Sequence, residues 1–120
     1  MAQSIRDQLR SATLGKKSNF RTKIFNYEGL DVEFRAPNLK QRQNIIKKSK
    51  DKNGDLDVVD FIAHSVIECT YVPGTNDNVY EQEDYDALMQ QGSGSFVEIF
   101  GAEVSALMGV EDEEADAKNS

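Results

Sequence analysis

The chain has 120 residues and a formal net charge of −7, with 38% hydrophobic and 29% charged residues. This length fits one small domain, and no apolar run approaches the roughly 18 residues of a membrane span. The single cysteine, Cys69, excludes an internal disulfide and suits a reducing cytoplasm. Cys69 and His64 together are too few soft ligands for a structural zinc site.

Charge is divided between the two halves of the sequence. Residues 1–52 hold 13 Lys/Arg and 5 Asp/Glu, a net +8, whereas residues 53–120 hold 1 Lys and 16 Asp/Glu, a net −15. One interpretation is a set of solvated faces with an acidic tail. The other is a basic face and an acidic face that attract each other between copies, which gives weak head-to-tail self-association.

A short amphipathic helix is predicted over residues 5–14. Ser4 and Asp7 have the spacing of a capping box at its start, and Gly15 is a suitable stop. Because an isolated helix of this length is marginal in water, we expect it to dock on the domain or on a partner.

A β-hairpin is predicted over residues 20–37. Its apolar positions alternate along each strand: Phe20, Thr22 and Ile24 in the first, and Leu30, Val32 and Phe34 in the second. A three-residue loop at 27–29 keeps both sets on one face, because it pairs Ile24 with Val32 and brings Lys23 opposite Glu33.

The second predicted helix is basic. Asn38 and Gln41 form a capping box at its start, and Leu39, Ile45 and Ile46 make its apolar side. The remaining positions hold the cations that we call the basic set: Lys40, Arg42, Lys47, Lys48 and Lys50.

The next stretch, DKNGDLDVVD at 51–60, has oxygen ligands at the spacing with which a calcium loop begins: Asp51, Asn53 and Asp55. However, Leu56 stands where such a loop needs glycine, and Ile62 stands where it needs a bidentate Glu. We therefore predict a turn at Asn53-Gly54, with Asp55 or Asp57 capping the helix that follows.

That third helix has the strongest apolar spacing and is expected at the centre of the core through Val58, Val59, Ile62, Val66 and Cys69. His64 near this face is interpreted as an ordinary helix histidine.

A polar loop at 71–78 then leads to a short helix from Glu81 to Gln91, whose inward residues are predicted to be Tyr85, Leu88 and Met89. In the last helix, Ser95 and Glu98 form a predicted capping box, and the apolar stripe is Phe96, Phe100, Val104 and Leu107, ending at Gly109.

These elements predict an α+β fold that is mainly α-helical, with an N-terminal helix, a β-hairpin and about four further helices. Residues 1–110 are expected to form a single globular domain. Residues 111–120 are expected to be a disordered acidic tail.

Chemistry that would indicate an enzyme is missing from the sequence. His64 and Cys69 lie five residues apart on one predicted helix, which places them on different sides, and GSGS at 92–95 lacks the lysine and preceding strand of a phosphate-binding loop. We therefore expect neither catalysis nor a cofactor. The run KQRQNIIKKSKDK suits a phosphate track, but the acidic second half and the lack of interleaved aromatic residues weigh against nucleic acid as a partner.

The order of elements resembles the tail assembly chaperones of long-tailed bacteriophages over most of residues 4–110. The segments that carry the resemblance are Arg35-Ala36-Pro37 after the hairpin, the loop from Cys69 to Pro73, the helix start Glu83-Asp84 with Leu88, and the close at Leu107-Met108-Gly109. The resemblance implies a non-enzymatic protein of the host cytoplasm that binds the tape measure protein, helps recruit tail tube subunits and is absent from the mature virion.

Two alternatives stay open beside this resemblance. One is a structural component of the phage tail or head–tail connector, and the other is a nucleic-acid-binding protein that uses its basic helix. The candidate partner-binding residues are the basic set together with Met89, Phe96, Phe100 and Met108, four side chains that could instead belong to the core.

Overall fold

The computed structural model describes residues 4–14 and 21–109. Its elements follow in the order α1 (Ile5–Thr13), β1 (Thr22–Tyr27), β2 (Leu30–Arg35), α2 (Leu39–Lys48), α3 (Val58–Cys69), β3 (Thr70–Tyr71), a 3-10 helix (Gln82–Asp84), α4 (Tyr85–Met89) and α5 (Phe96–Met108). The expected α+β, mainly helical class is confirmed. The expected tail at 111–120 lies outside the described residues, and none of the described helices is long and apolar enough to cross a membrane.

The sheet is antiparallel with the strand order β1-β2-β3. In its hairpin Phe25 pairs with Val32, and Tyr27 pairs with Leu30, so that the loop consists of two residues, Glu28 and Gly29. Both loop residues have a positive φ, 51° and 84°, as the type I′ turn of a two-residue hairpin requires.

The predicted hairpin register is therefore wrong. Ile24 pairs with Glu33 rather than Val32, Lys23 pairs with Phe34, and Ile24 is 52% exposed. The two-residue loop turns Phe25 and Tyr27 to the face that packs on α5, and burying two aromatic rings outweighs burying Ile24.

The turn offers a direct test of this register. Glu28 adopts a left-handed conformation that asparagine tolerates better, so Glu28→Asn should raise the free energy of unfolding by about 0.5–1 kcal/mol. Gly29→Ala should lower it by about 1 kcal/mol or more, because alanine is strained at positive φ. Urea denaturation of both variants measures this. If both substitutions changed the free energy of unfolding in the same direction, the assignment of this turn would be contradicted.

Strand β3, which the sequence did not predict, ties the loop at 71–78 to the hairpin. Tyr71 pairs with Glu33, and the guanidinium of Arg35 lies over the Tyr71 ring at 4.2 Å from its centroid. Arg35 also donates to the Thr75 carbonyl and forms an ion pair with Glu33. The Glu33 carboxylate accepts from the amide of Gly74 at 3.2 Å, and its bond with Arg35 holds the pKa of Glu33 below its usual value.

Helix α3 lies at the centre of the core, packed against α2, α4 and α5. The buried apolar cluster is Phe34, Ile45, Val66, Ile67, Cys69, Leu88, Val97, Phe100 and Val104. Val58 and Val59, which were predicted to be buried, are 63% and 59% exposed. The reason is that close contact between α3 and α5 begins one turn later, where Ile62 meets Gly101.

The helix starts agree closely with the predicted capping residues. The side chain of Ser4 accepts from the amide of Asp7, Asn38 and Gln41 form both bonds of a capping box, and Asp57 caps α3. Within the stretch at 51–60, Oδ1 of Asp51 accepts from the amides of Asn53 and Asp55 at 2.8 and 3.0 Å. That stretch therefore begins with a turn that the Asp51 carboxylate stabilises by binding backbone amides.

Two predictions in the last third of the chain are wrong. The helix expected from Glu81 to Gln91 is divided into the 3-10 helix and a shorter α4, because Glu81 and Asp84 form a capping box around the 3-10 turn. At α5, Ser95 makes no capping bond. Glu98 reaches one residue further back instead, where its Oε1 accepts from the amide of Gly94 at 2.6 Å.

Candidate partner-binding surfaces

The basic set lies on α2 and, with Lys50, just past its end, and one face of this helix packs on the core. Ile45 is 1% exposed and anchors the helix, while the capping box at Asn38 and Gln41 fixes its start. Lys40, Lys47, Lys48 and Lys50 are exposed on the other faces, and Arg42 is half-buried. The structure therefore places four of the five cations on α2 and Lys50 two residues after its end, and all of them except Arg42 are exposed to solvent.

Within the described residues, most of these cations have no counterion. Lys48 pairs with Glu68 at 3.5 Å and also donates to Gln82. For the other four, no carboxylate of residues 4–14 or 21–109 lies within 4.0 Å. Reversing the charge of Lys48 would disturb an internal contact, whereas reversing that of Lys47 or Lys50 would not.

Apolar surface is interleaved with this charge. A depression of about 430 Å³ is lined by Leu39, Arg42, Gln43, Ile46, Lys47 and Lys50. Leu39 is 82% exposed, and none of the lining residues is aromatic. Such a surface suits an acidic amphipathic protein segment better than nucleic-acid bases, which stack on aromatic rings.

A second surface is acidic. Residues 53–109 contain no Lys or Arg, and exposed Glu81, Glu83 and Asp86 cluster around the 3-10 helix and α4. The neighbouring side chain of Glu83 raises the pKa of Glu81 above its ordinary value, as expected where carboxylates crowd together. This surface would attract a cationic partner.

An apolar groove lies within the acidic second half of the chain. It has a volume of about 260 Å³, and its lining comes from three helices and the turn between α4 and α5: Val59, Ile62, Ala63, Leu88, Met89, Gln91, Gly92, Ser93, Ser95, Val97 and Glu98. Val59 is 59% exposed and Met89 is 39% exposed, so part of the apolar wall faces water. The sequence did not predict this groove, because it exists only where the three helices meet.

The four apolar candidates lie in different environments. Phe100 is 2% exposed at the centre of the core, which leaves it no surface to offer a partner. Phe96 and Met108 are half-buried and pack against the core. Met89, which was predicted to point inward, is the one with substantial exposure, and it lines the groove.

Helix α1 has an apolar stripe that no element covers. Ile5 is 72% exposed and Leu9 is 60% exposed, and none of the residues of α1 is buried. We expected this helix to dock on its own domain or on a partner, and the first of these is not seen in the described part of the chain.

The one histidine and the one cysteine are both buried. Burial raises the pKa of the Cys69 thiol to about 12, so that it stays protonated and unreactive. The ring of His64 stacks on Tyr85 at 4.9 Å between centroids. The phenol of Tyr85 donates to the carboxylate of Asp60, and that bond raises the pKa of Tyr85 to about 12. This arrangement holds α4 against α3 and offers no nucleophile.

His64 should make stability depend on pH below about 6.5. Burial lowers the pKa of His64 in the folded state, more than Asp60 raises it, so the unfolded chain takes up a proton first as pH falls. The free energy of unfolding should therefore decline from pH 7 to pH 5.5. Urea denaturation at intervals across this range measures it, and His64→Phe, which keeps the ring stack, should give a flatter profile. Equal slopes in the two proteins would contradict the assignment.

Comparison with known proteins gives a match in structure rather than in sequence. No family model matches the chain, and no curated protein matches it. The fold is similar to a solved structure of the bacteriophage HK97 tail assembly chaperone, with a TM-score of 0.51 and 13% sequence identity. The match covers 85% of this chain and 98% of that one. The chain therefore has the fold of a phage tail assembly chaperone, which confirms the resemblance at the level of fold.

Proposed function

We propose that this protein is a bacteriophage tail assembly chaperone, which binds the tape measure protein and helps recruit tail tube subunits during assembly of the virion tail. The observation that carries the proposal is the fold match, because it includes nearly the whole of the HK97 chaperone chain. In this proposal the protein acts in the host cytoplasm and leaves before the virion is mature.

The surfaces described above support a binding function rather than catalysis. A chaperone for a long helical protein needs exposed apolar surface, and charged residues around that surface keep the protein soluble. The depression on α2 combines exposed Leu39 with Lys47 and Lys50, and the groove combines Val59 and Met89 with an acidic surround. With His64 and Cys69 both buried, the chemistry of the described residues gives no reason to propose an enzyme.

Co-purification tests this function. The tagged protein is expressed with candidate tape measure and tail tube proteins of the same phage, and purified virions are analysed separately by mass spectrometry. We expect both tail proteins to co-purify and the virions to lack this chain. Its presence in virions at fixed copy number would instead identify a structural component of the tail or connector. Retention of nucleic acid without tail proteins would favour the basic-helix alternative.

Reversing two charges of the basic set should distinguish binding at a specific surface from general electrostatic attraction. Lys47→Glu and Lys50→Glu combined should weaken binding of the tape measure protein by roughly tenfold at low salt, and by less at about 0.5 M NaCl, where charges are screened. Lys52→Glu, on the exposed turn outside the depression, is the control. Fluorescence anisotropy with a labelled tape measure fragment measures the dissociation constants. Equal loss in the control would argue against a surface on α2.

A further inference from the structure

We propose that α1 of one copy docks into the groove between α3, α4 and α5 of a second copy. The proposal rests on the proposed function, since it identifies the contact through which copies of the chaperone would associate. It follows from two apolar surfaces that the single chain leaves open, and from the charges around each of them.

The first surface is the apolar stripe of α1. Ile5 and Leu9 lie one turn apart on the same face, about 6 Å along the helix axis, and both are largely exposed. Arg10 and Leu14 lie on other faces. A nine-residue helix is marginal in water unless its apolar face is covered, so the described helix itself indicates a partner.

The second surface is the groove. Val59 on α3 and Met89 on α4 stand exposed at its walls, while Leu88 and Val97 form its buried floor. Two large apolar side chains spaced by one helical turn are the usual anchors of a helix that lies in such a groove. Methionine at the wall packs adaptably around an inserted side chain.

Charge favours α1 as the occupant. Arg6 and Arg10 flank the stripe and outnumber Asp7, the single acid of α1, and Lys16 and Lys17 follow in the sequence. The groove includes Glu98 and lies in a stretch, residues 53–109, that has 11 Asp/Glu and no Lys or Arg. The cationic helix and the acidic groove therefore attract each other.

We place the occupant on a second copy because, within residues 4–14 and 21–109, neither the stripe of α1 nor the groove is covered by another element of the same chain. Each copy then offers one helix and receives another, which is a heterologous contact. Such a contact propagates into a ring or a filament. This contact is head-to-tail, as expected from the division of charge, and it joins α1 of one copy to the groove of the next.

Sedimentation velocity on the full chain, from about 5 to 200 µM, tests the proposal with two matched pairs of variants. Leu9→Glu should weaken association at least tenfold, whereas Ser11→Glu, on the opposite face of α1, should leave it nearly unchanged. Val59→Glu should weaken it similarly, whereas Val58→Glu, equally exposed but outside the groove, should not.

Mixing the two weakened variants gives the decisive result. The Leu9→Glu chain keeps its groove and the Val59→Glu chain keeps its helix, so an equimolar mixture should form a heterodimer and stop there. Wild-type protein that stays monomeric throughout, association indifferent to both variants, or a mixture that does not associate would each overturn the proposal. None of these results bears on whether wild-type protein co-purifies with tail proteins, so a failure here is distinct from a failure of the proposed function.

Discussion

Replacing Phe100 with alanine should lower the free energy of unfolding by about 3–5 kcal/mol, the cost of deleting a buried aromatic side chain. Phe100 is 2% exposed, and its ring lies 5.1 Å from that of Phe34 and 5.3 Å from that of Tyr27. It therefore joins α5 to the hairpin. Because domains of this size have only about 5–15 kcal/mol in total, the variant should lose a large part of its stability.

Urea denaturation and thermal melting measure the loss, and Ile99→Ala is the matched control. Ile99 precedes Phe100 on α5 but is 41% exposed, so its truncation should cost less than about 1.5 kcal/mol. If the two variants lost similar stability, the aromatic cluster would not be the junction between helix and sheet. A thermal midpoint lowered by at least about 12 °C in Phe100→Ala, with little change in Ile99→Ala, would support it.

The second large effect is expected at Gly101, where α3 and α5 make their closest approach. A Cβ at this position would lie 2.6 Å from Cγ2 of Ile62, well inside van der Waals contact. Gly101→Val should therefore cost about 2–3 kcal/mol, although valine favours a helix more than glycine does. The methyl group of Ile62 is attached at a branched Cβ, so it has little freedom to move aside.

Two further variants make this prediction specific. Ala102→Val introduces the same side chain one position away, where α5 is exposed, and should change stability by less than about 0.7 kcal/mol. Adding Ile62→Ala to Gly101→Val should cost less than the sum of the two single changes, because the alanine removes the atom that clashes. Strict additivity would mean that the two helices do not meet at this point. Urea denaturation of the wild type, Gly101→Val, Ile62→Ala and the double variant gives the coupling free energy between the two positions.

Sequence patterns predicted those features that depend on local interactions. A cap bonds to backbone within three residues, so Ser4, Asn38 and Asp57 could be assigned from spacing alone. The exposure of the basic set could likewise be predicted from the single apolar side of its helix. The fold class followed from the order of these elements.

Features that depend on distant contacts were not predicted correctly. Each face of β1 carries apolar residues. Only contact with Phe100 on α5 determines that the buried face is the one with Phe25 and Tyr27. Strand β3 is two residues long, which is too short for any periodicity. The groove is assembled from residues up to 39 positions apart in the sequence, Val59 to Glu98, so no local pattern could indicate it.

The lack of Lys and Arg in residues 53–109, which include α3, α4 and α5, has a practical consequence for detecting the protein. Trypsin cleaves after Lys and Arg, and the chain has neither between Lys52 and Lys118. A tryptic digest therefore leaves more than half of the molecule in one long peptide, and a survey of virions by this method samples only the N-terminal half. A protease that cleaves after glutamate would cut within α3, between α3 and α4, and within α5. Such a digest is the appropriate way to establish whether the protein stays in the particle.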